Sequence, residues 1–316
     1  MQRPGPTVEY RELRRRDLPS LSKVIAQAYG ALERATGLDE VSTAQLLSLR
    51  RPGLWVLVRL LQRLRIAPLR FLVAVEGGQV VGSTIVTFRD KAGYIGGVST
   101  DARARGRGVA TQLMERARAV ARAKGKAWMA LDVESDNETA LRVYRRLGYT
   151  EVERVDWHVG PLPPPTPMSQ PTALEFKTVD KVTLAWVFQS TLPAIREALP
   201  PSPRTLTHVE IYARPSRARP RMWKLSVDGR AIGLVRGHYS ATTRTGFLLP
   251  VGTHPSLPQA ALAPLIVPAI EWLRSLGANR VALCVPDKAE GWAGLTSALG
   301  LPFVASETLM IRPSGD

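Results

Sequence analysis

The sequence predicts an α/β protein made of two similar domains in tandem. At 316 residues the chain is about twice the length of an average domain. Its second half repeats the first at a shift of 152 residues, since residues 125–148 and 277–300 align without a gap and share seven identities in 24 positions. The proline-rich stretch "PLPPPTPMSQPTA" cannot continue a helix or a central strand. We therefore predict an N-terminal domain at 1–160, a linker at 161–173 and a C-terminal domain at 174–316.

Each element of the first domain is predicted by a local pattern. Alternation predicts a strand in "TVEYREL", the apolar spacing of residues 18–29 predicts a helix, and Gly77-Gly78 joins the two strands of a hairpin. "GYIGGVST" is the next strand, a helix follows at 109–124, "AWMALDV" is a buried strand, and a short helix spans 137–147. An antiparallel meander followed by βαβαβ predicts, in each domain, a mixed and mostly antiparallel sheet flanked by helices.

Composition narrows the classes of function. The single cysteine excludes an internal disulfide, and four scattered histidines without metal-ligand spacing argue against a zinc site. No apolar run reaches the length of a membrane span, and the first residues lack the apolar segment of a signal peptide. The net charge of +16 comes with no nucleic-acid-binding motif. We expect a cytoplasmic protein with no metal, no transmembrane segment and no specific nucleic-acid partner; a homodimer is left open.

The stretch "DARARGRGVA" at 101–110 lies where a strand passes into a helix. Unpaired N–H groups and the helix dipole favour an anion at such a place. Gly106 and Gly108 would let the main chain approach phosphate oxygens, and the arginines would add charge-assisted hydrogen bonds. The pattern alone is also compatible with a plain basic loop.

The segment at 94–149 resembles the core of the GCN5-related N-acetyltransferases, the GNAT superfamily. The family's Arg/Gln-x-x-Gly-x-Gly/Ala signature fits at 103–108 and at 105–110, and the second register places Gly108 and Ala110 at the helix entrance. "NETALRVYRRLGY" matches the family's Asn-x-x-Ala-x-x-x-Tyr-x-x-x-Gly-Tyr/Phe pattern in full, and "LDV" precedes it as in the family. Two motifs in the right order are far more specific than either alone.

This resemblance implies acetyl-CoA as co-substrate and no metal. The pyrophosphate is expected on the glycine-rich turn, and the pantetheine arm in the gap between the strand ending near Thr100 and the strand at 128–133. Backbone groups of the first strand would bind the pantetheine and polarise the thioester carbonyl. The residues expected to bind acetyl-CoA are Val98, Ser99, Thr100, Arg103, Arg105, Gly106, Arg107, Gly108, Val109, Ala110 and Asn137.

The implied chemistry is attack of an amine on a thioester, which needs a base or a water chain, an oxyanion donor and an acid for the leaving thiolate. Tyr144 is the candidate acid, because a phenol stays protonated at neutral pH; the alternative is a core tyrosine on an amphipathic helix. Asp132 is the candidate base, although a strand carboxylate with no special role fits the pattern equally well. Glu134, two residues on, is the substitute base.

The acceptor is less defined. "GLWVLVRLLQRLRI" at 53–66 reads as an amphipathic basic helix, which could pack on either domain, form a lid over the acceptor site, or lie on a membrane surface. We expect an acetyl-CoA-dependent N-acetyltransferase acting on a primary amine of a small molecule, peptide or protein. The alternative is a non-catalytic acyl-CoA-binding or scaffolding protein that keeps the fold.

The second copy lacks these features. The 152-residue shift replaces the turn at 105–108 with "LPQA" at 257–260, where Pro258 has no N–H and neither glycine remains. It also replaces the residues of the second motif and the candidate base. The replacements are Ala289 for Asn137, Thr296 for Tyr144 and Cys284 for Asp132. We therefore predict a degenerate C-terminal domain and one acetyl-CoA per chain.

Overall fold

The structure, a computed structural model, describes residues 7–39, 48, 51, 53, 55, 56, 60, 69–88, 92–165, 175–178, 221–227, 230–253, 262–286 and 292–315. The chain divides into two compact units. The first comprises Met1–Val133, Asn137–Glu151 and Leu309–Asp316, and the second comprises Glu134–Asp136 and Val152–Thr308.

The first unit is a sheet with helices on both faces. In chain order its elements are β1 (Glu9–Glu12), α1 (Leu18–Ala26), α2 (Ala31–Thr36), β2 (Leu69–Glu76), β3 (Gln79–Phe88), β4 (Ala92–Thr100), α3 (Val109–Ala123), β5 (Trp128–Glu134) and α4 (Glu138–Arg146). Strands β1 to β4 pair antiparallel with their neighbours, and β5 adds in parallel to β4. The described elements follow the predicted order, with helix ends shifted by up to three residues, except that α2 was not predicted.

Two apolar clusters hold this unit together. The larger one lies between the sheet and α3 and α4, and it includes Leu113, Met129, Leu131, Tyr144 and Met310. The smaller one lies on the opposite face under α1, and its members include Leu18, Leu21, Val24, Val73 and Val75. Full burial of each such aliphatic side chain contributes about 1.5–3 kcal/mol.

The remaining elements are β6 (Thr150–Pro161), β7 (Glu175–Thr178), β8 (Arg221–Val227), β9 (Arg230–Ser240), β10 (Thr245–Thr253), α5 (Leu262–Ser275), β11 (Arg280–Pro286), α6 (Trp292–Ala298) and β12 (Phe303–Pro313). Strands β7 to β10 pair antiparallel with their neighbours and β11 adds in parallel to β10, so the second unit repeats the strand pairing of the first. Strand β11 begins and ends 152 residues after β5, at the shift seen in the sequence. An apolar cluster packs α5 on this sheet through residues such as Leu265, Ile266 and Leu283.

Each unit includes a strand segment that comes from the opposite end of the other unit's sequence range: the first unit takes residues 309–316, and the second unit takes most of β6. Strand β6 pairs antiparallel with β11 from Val155↔Pro286 to Pro161↔Arg280, inside the second unit. Residues 309–316, with the C-terminal part of β12, belong to the first unit. The compact units therefore differ from a division of the chain at residue 160, and the domain boundaries given above stay a prediction. Residues 166–173 of the predicted linker lie outside the described residues.

Candidate functional site

A gap opens between β4 and β5 because the two strands stop pairing halfway. Their parallel ladder runs from Ala92↔Trp128 to Ile95↔Leu131, while β4 continues to Thr100 and β5 to Glu134. No further pair forms between these two described strands. The edges facing the gap therefore carry main-chain groups that are available to a ligand.

A β-bulge in β4 produces the divergence. Ile85↔Gly96 and Ser83↔Ser99 are partners across β3 and β4, so two β4 residues lie opposite one β3 residue. Gly97 takes a φ of 57° in this bulge, a left-handed conformation that favours glycine. Beyond the bulge, the Asp101 N–H donates to Val81 O at 2.9 Å. Because antiparallel backbone groups alternate in direction, those of Thr100 face away from β3, toward the gap.

The glycine-rich turn joins the end of β4 to α3. A short 3-10 turn at Ala102–Ala104 begins at Asp101, whose side chain accepts from the Arg103 N–H at 3.0 Å. Gly106 and Gly108 have φ values of 72° and 76°, and α3 begins at the next residue. Ala104 and Val109 are each 1% exposed and anchor the turn on the core. The first N–H groups of α3 have no partner within the helix, so this end is chemically suited to an anion.

The three arginines of the turn differ in their partners. Arg103 makes two hydrogen bonds to Asp101, at 3.0 and 3.1 Å. Arg107 makes two to Glu76, at 3.0 and 2.5 Å, and this hydrogen bond lowers the pKa of Glu76. Arg105 donates only a long bond, of 3.4 Å, to Thr100 O. Within the described part of the chain, Arg105 is therefore the turn arginine that makes no hydrogen bond to a carboxylate.

The turn fits a phosphate group. A Cβ built on Gly106 or Gly108 meets nothing within 4 Å, so the space beside both residues is open. The predicted turn residues Val109 and Ala110 form the first turn of α3, where the helix dipole places partial positive charge. The turn thus offers open main-chain donors, a helix start and at least one available guanidinium.

Asn137 caps α4. Its side-chain oxygen accepts a hydrogen bond from the Ala140 N–H at 3.1 Å. A helix cap of this kind contributes about 0.5–2 kcal/mol, so the asparagine has a structural role that the motif alone did not reveal. Its amide N–H groups remain chemically suited to donate to a ligand.

Tyr144 lies on the buried face of α4. It is 6% exposed and belongs to the cluster under α3 and α4, with the Tyr149 ring at 6.0 Å. Burial raises the pKa of the Tyr144 hydroxyl to about 12. The hydroxyl makes no hydrogen bond to another residue that the structure describes. It therefore keeps its proton and can donate it as a hydrogen bond.

Asp132 and Glu134 are half-buried and lie on the same face of β5. Asp132 is the first β5 residue beyond the last pair with β4, so its carboxylate lies at the closed end of the gap. The Tyr94 hydroxyl donates to Asp132 Oδ2 at 2.8 Å. Glu134 groups with the second unit, whereas Asp132 lies in the first.

Sequence reasoning missed Glu76, Asp101 and Tyr94. The partners Glu76 and Arg107 lie 31 residues apart, and Tyr94 and Asp132 lie 38 apart. Tyr94 lies within the predicted strand "GYIGGVST", but nothing in its spacing identifies the carboxylate it contacts.

Several predicted features fall on residues that are not described. Most of 53–66 is among them, although Val56 and Leu60 are 64% and 50% exposed. The turn at 257–260 and Ala289 also lie outside the described residues. Thr296 and Cys284, the counterparts of Tyr144 and Asp132, are buried.

The second unit contains a similar divergence. Strands β10 and β11 pair from Thr245↔Arg280 to Leu248↔Leu283, while β10 runs on to Thr253.

Among the described residues there is no cluster of three metal-ligating side chains. No helix in the described ranges has the length and apolar character needed to cross a membrane.

Residues 41–149 match the family model described as "Acetyltransferase (GNAT) family". No curated protein matches the chain significantly. A solved GCN5-related N-acetyltransferase from Sphaerobacter thermophilus is 18% identical, with a TM-score of 0.56, over 97% of this chain and 96% of that one. A tandem GNAT protein from the clavulanic acid biosynthesis pathway is 15% identical, with a TM-score of 0.54, over 98% and 99%. A solved putative acetyltransferase from Pyrococcus horikoshii is 14% identical, with a TM-score of 0.53, over 97% and 89%. At these identities the likeness shows a shared fold.

Proposed function

Because residues 41–149 form a domain of the acetyltransferase (GNAT) family, we propose that the chain is an acetyl-CoA-dependent N-acetyltransferase. Its acceptor would be a primary amine of a small molecule, peptide or protein. The observation that carries the proposal is the gap between β4 and β5, which leads from the turn at 105–110 to the carboxylate of Asp132. One unit thus offers a helix start suited to an anion, strand edges that do not pair with each other, and a carboxylate along the same gap.

Acetyl-CoA, when bound, supplies an acetyl group activated as a thioester. The main-chain N–H groups at 106–110 and the Arg105 guanidinium would hold its phosphates. Backbone groups of Val98 and Thr100 on the gap side of β4 would hold the pantetheine and polarise the acetyl carbonyl. The buried Ser99 hydroxyl is 2.7 Å from that of Ser83, so its side chain forms a hydrogen bond between β3 and β4.

The candidate base and the candidate acid lie on opposite faces of the sheet. Leu131 and Val133 pack in the cluster under α3 and α4 together with Tyr144. Because side chains alternate along a strand, Asp132 faces the other side. Asp132 would take a proton from the incoming amine on one face, while Tyr144 would donate a hydrogen bond to the departing sulfur on the other.

Tyr144 would act mainly as a hydrogen-bond donor. Its pKa of about 12 lies well above the ~8.5 of an ordinary thiol, so complete proton transfer to a thiolate is uphill. A phenol that remains protonated still stabilises developing negative charge on sulfur.

The test combines binding with turnover. Calorimetry with acetyl-CoA should give one site per chain, because the second copy has lost the glycines and arginines of its turn. A panel of primary amines, from small molecules to peptides, should then show amine-dependent CoA release. Binding without release for any amine would support the non-catalytic alternative, and two sites of equal affinity would contradict the degenerate second domain.

A further inference from the structure

The hydrogen bond between Tyr94 and Asp132 bridges β4 and β5 where their pairing ends. The last pair of the ladder is Ile95↔Leu131, so Tyr94 precedes the final paired residue of β4 and Asp132 follows the final paired residue of β5. The donor–acceptor distance is 2.8 Å, and the bond is partly buried. A hydrogen bond to a carboxylate is stronger than one between neutral groups.

Both side chains lie on the face of the sheet away from α3. Ile95 and Leu131 pack in the cluster under α3 and α4. Alternation therefore places Tyr94 and Asp132, their neighbours in the chain, on the opposite face, where α1 packs farther along the sheet. The acid candidate Tyr144 is on the α3 side.

The register explains how the phenol reaches the carboxylate. Tyr94 is the pairing partner of Ala130, two residues before Asp132 on the same face of β5. The methyl group of Ala130 leaves room beside the strand, so the long tyrosine ring can extend toward the next residue on that face. Glu134 lies two residues farther along, at the end of β5.

We propose that Tyr94 is the positioning residue for the base Asp132. The inference rests on the proposed acetyltransferase function. Tyr94 holds Oδ2 and fixes the plane of the carboxylate at the closed end of the gap. Asp132 then takes the proton of the acceptor's ammonium group: an N–H bond breaks, a carboxyl O–H bond forms, and the amine is left neutral with its lone pair free to attack. Tyr94 keeps its own proton throughout and touches neither reactant.

This assignment also distinguishes the two candidate bases. An aspartate has one methylene fewer than a glutamate and fewer rotamers, so each hydrogen bond to it restricts the carboxylate more. Asp132 has that hydrogen bond and lies where the strands diverge. The substrate class that follows is an amine that is protonated at neutral pH, because its ammonium group must lose a proton before the nitrogen can attack.

The test is a double-mutant cycle in the full chain, using the amine that gives the highest turnover in the panel. Tyr94→Phe should lower kcat by about tenfold and leave the Kd for acetyl-CoA, measured by calorimetry, unchanged. Asp132→Asn should lower kcat by about 100-fold or more. In the Asp132→Asn background, Tyr94→Phe should have almost no further effect, because the group that it positions is gone.

Tyr10→Phe is the matched control, since it removes a phenol hydroxyl from a partly buried ring elsewhere in the same unit. It should leave kcat unchanged. If Tyr94→Phe lowers kcat equally in both backgrounds, or not at all, the positioning role is wrong while the acetyltransferase function stands. If the wild-type chain binds acetyl-CoA and transfers to no amine, the proposed function fails and the inference fails with it.

Discussion

At Tyr144, a buried hydroxyl is expected to stabilise the departing sulfur. Tyr144→Phe should lower kcat by about 100-fold and leave acetyl-CoA affinity unchanged. The reason is that the Tyr144 hydroxyl donates its hydrogen bond only to the sulfur that departs in the reaction. Tyr149→Phe is the matched control: its ring lies 6.0 Å from that of Tyr144, and its buried hydroxyl has no hydrogen-bond partner in the described part of the chain. Steady-state kinetics of the two variants should differ sharply. Similar losses in both would contradict the role of Tyr144.

The raised pKa of Tyr144 also predicts how stability depends on pH. The folded chain binds this proton more tightly than the unfolded chain, so the contribution is complete below pH 10.0 and is lost as the pH rises through about 12. Denaturant titrations between pH 9 and 11 should show the unfolding free energy of the wild type falling more steeply than that of Tyr144→Phe. Parallel curves would contradict the burial of this hydroxyl.

Glu76 is expected to reduce the contribution of Arg107 to phosphate binding. The carboxylate accepts two hydrogen bonds from that guanidinium. Glu76→Gln should therefore tighten CoA binding by about two- to fivefold. In an Arg107→Ala background the same change should have no effect in calorimetry. A gain that persists there would mean that Glu76 acts as a distant charge and not through Arg107.

Arg105→Ala, by contrast, should weaken CoA binding more than Arg107→Ala. Arg107 must give up its hydrogen bonds to Glu76 before it can bind a phosphate, whereas Arg105 has no hydrogen bond to a carboxylate to break. The loss should be smaller at high salt, since screening already weakens the wild-type attraction.

Among the helices, α3 has a glycine with positive φ at each end. Gly108 precedes it with a φ of 76°, and Gly125 follows it with a φ of 67°. Alanine at either position should cost a similar amount of stability, about 1–2 kcal/mol, because both positions are left-handed and open. Only Gly108→Ala should weaken CoA binding, by about tenfold, because its Cβ obstructs main-chain donors to phosphate. Thermal unfolding of the two alanine variants measures the loss of stability, and calorimetry measures the loss of CoA binding.

Elements such as α3 and β5 could be predicted from the sequence because their signals are local. Glycines mark the ends of α3, and the run "WMALDV" marks a buried strand. The bulge at Gly97 could not be predicted, because a glycine in a strand has several possible roles. The Tyr94–Asp132 and Glu76–Arg107 pairs depend on how strands align, and no local pattern encodes that alignment.

For the molecule as a whole, residues 309–314 are expected to stabilise the unit that contains the candidate site. Met310 is 0% exposed and belongs to the cluster that contains Tyr144. Arg312 donates to Glu115 at 3.2 Å, and the Ser314 N–H donates to Ala127 O at 2.9 Å. Met310→Ala should therefore lower the unfolding free energy by about 2–5 kcal/mol.

Phe303→Ala is the matched control on the same strand, because that side chain is 58% exposed. It should change stability by about 0.5 kcal/mol or less. Equal losses in denaturant titrations would contradict the placement of Met310 in the core. The apolar run "TLMIRP" predicts a buried strand, but its periodicity does not say which sheet the strand joins.

The origin of that last strand also constrains how the chain folds as it leaves the ribosome. Residues up to 151 supply nearly all of the first unit, yet residue 309 is translated only after the whole of the intervening segment. At about 5–20 residues per second, the delay is on the order of ten seconds. In the sheet β12 lies next to β5, so during that interval one edge of β5 lacks its neighbour and the place of Met310 in the core is empty. Nascent chains should therefore bind chaperones at this edge, and translation that stops early should release a polypeptide whose first unit is incomplete.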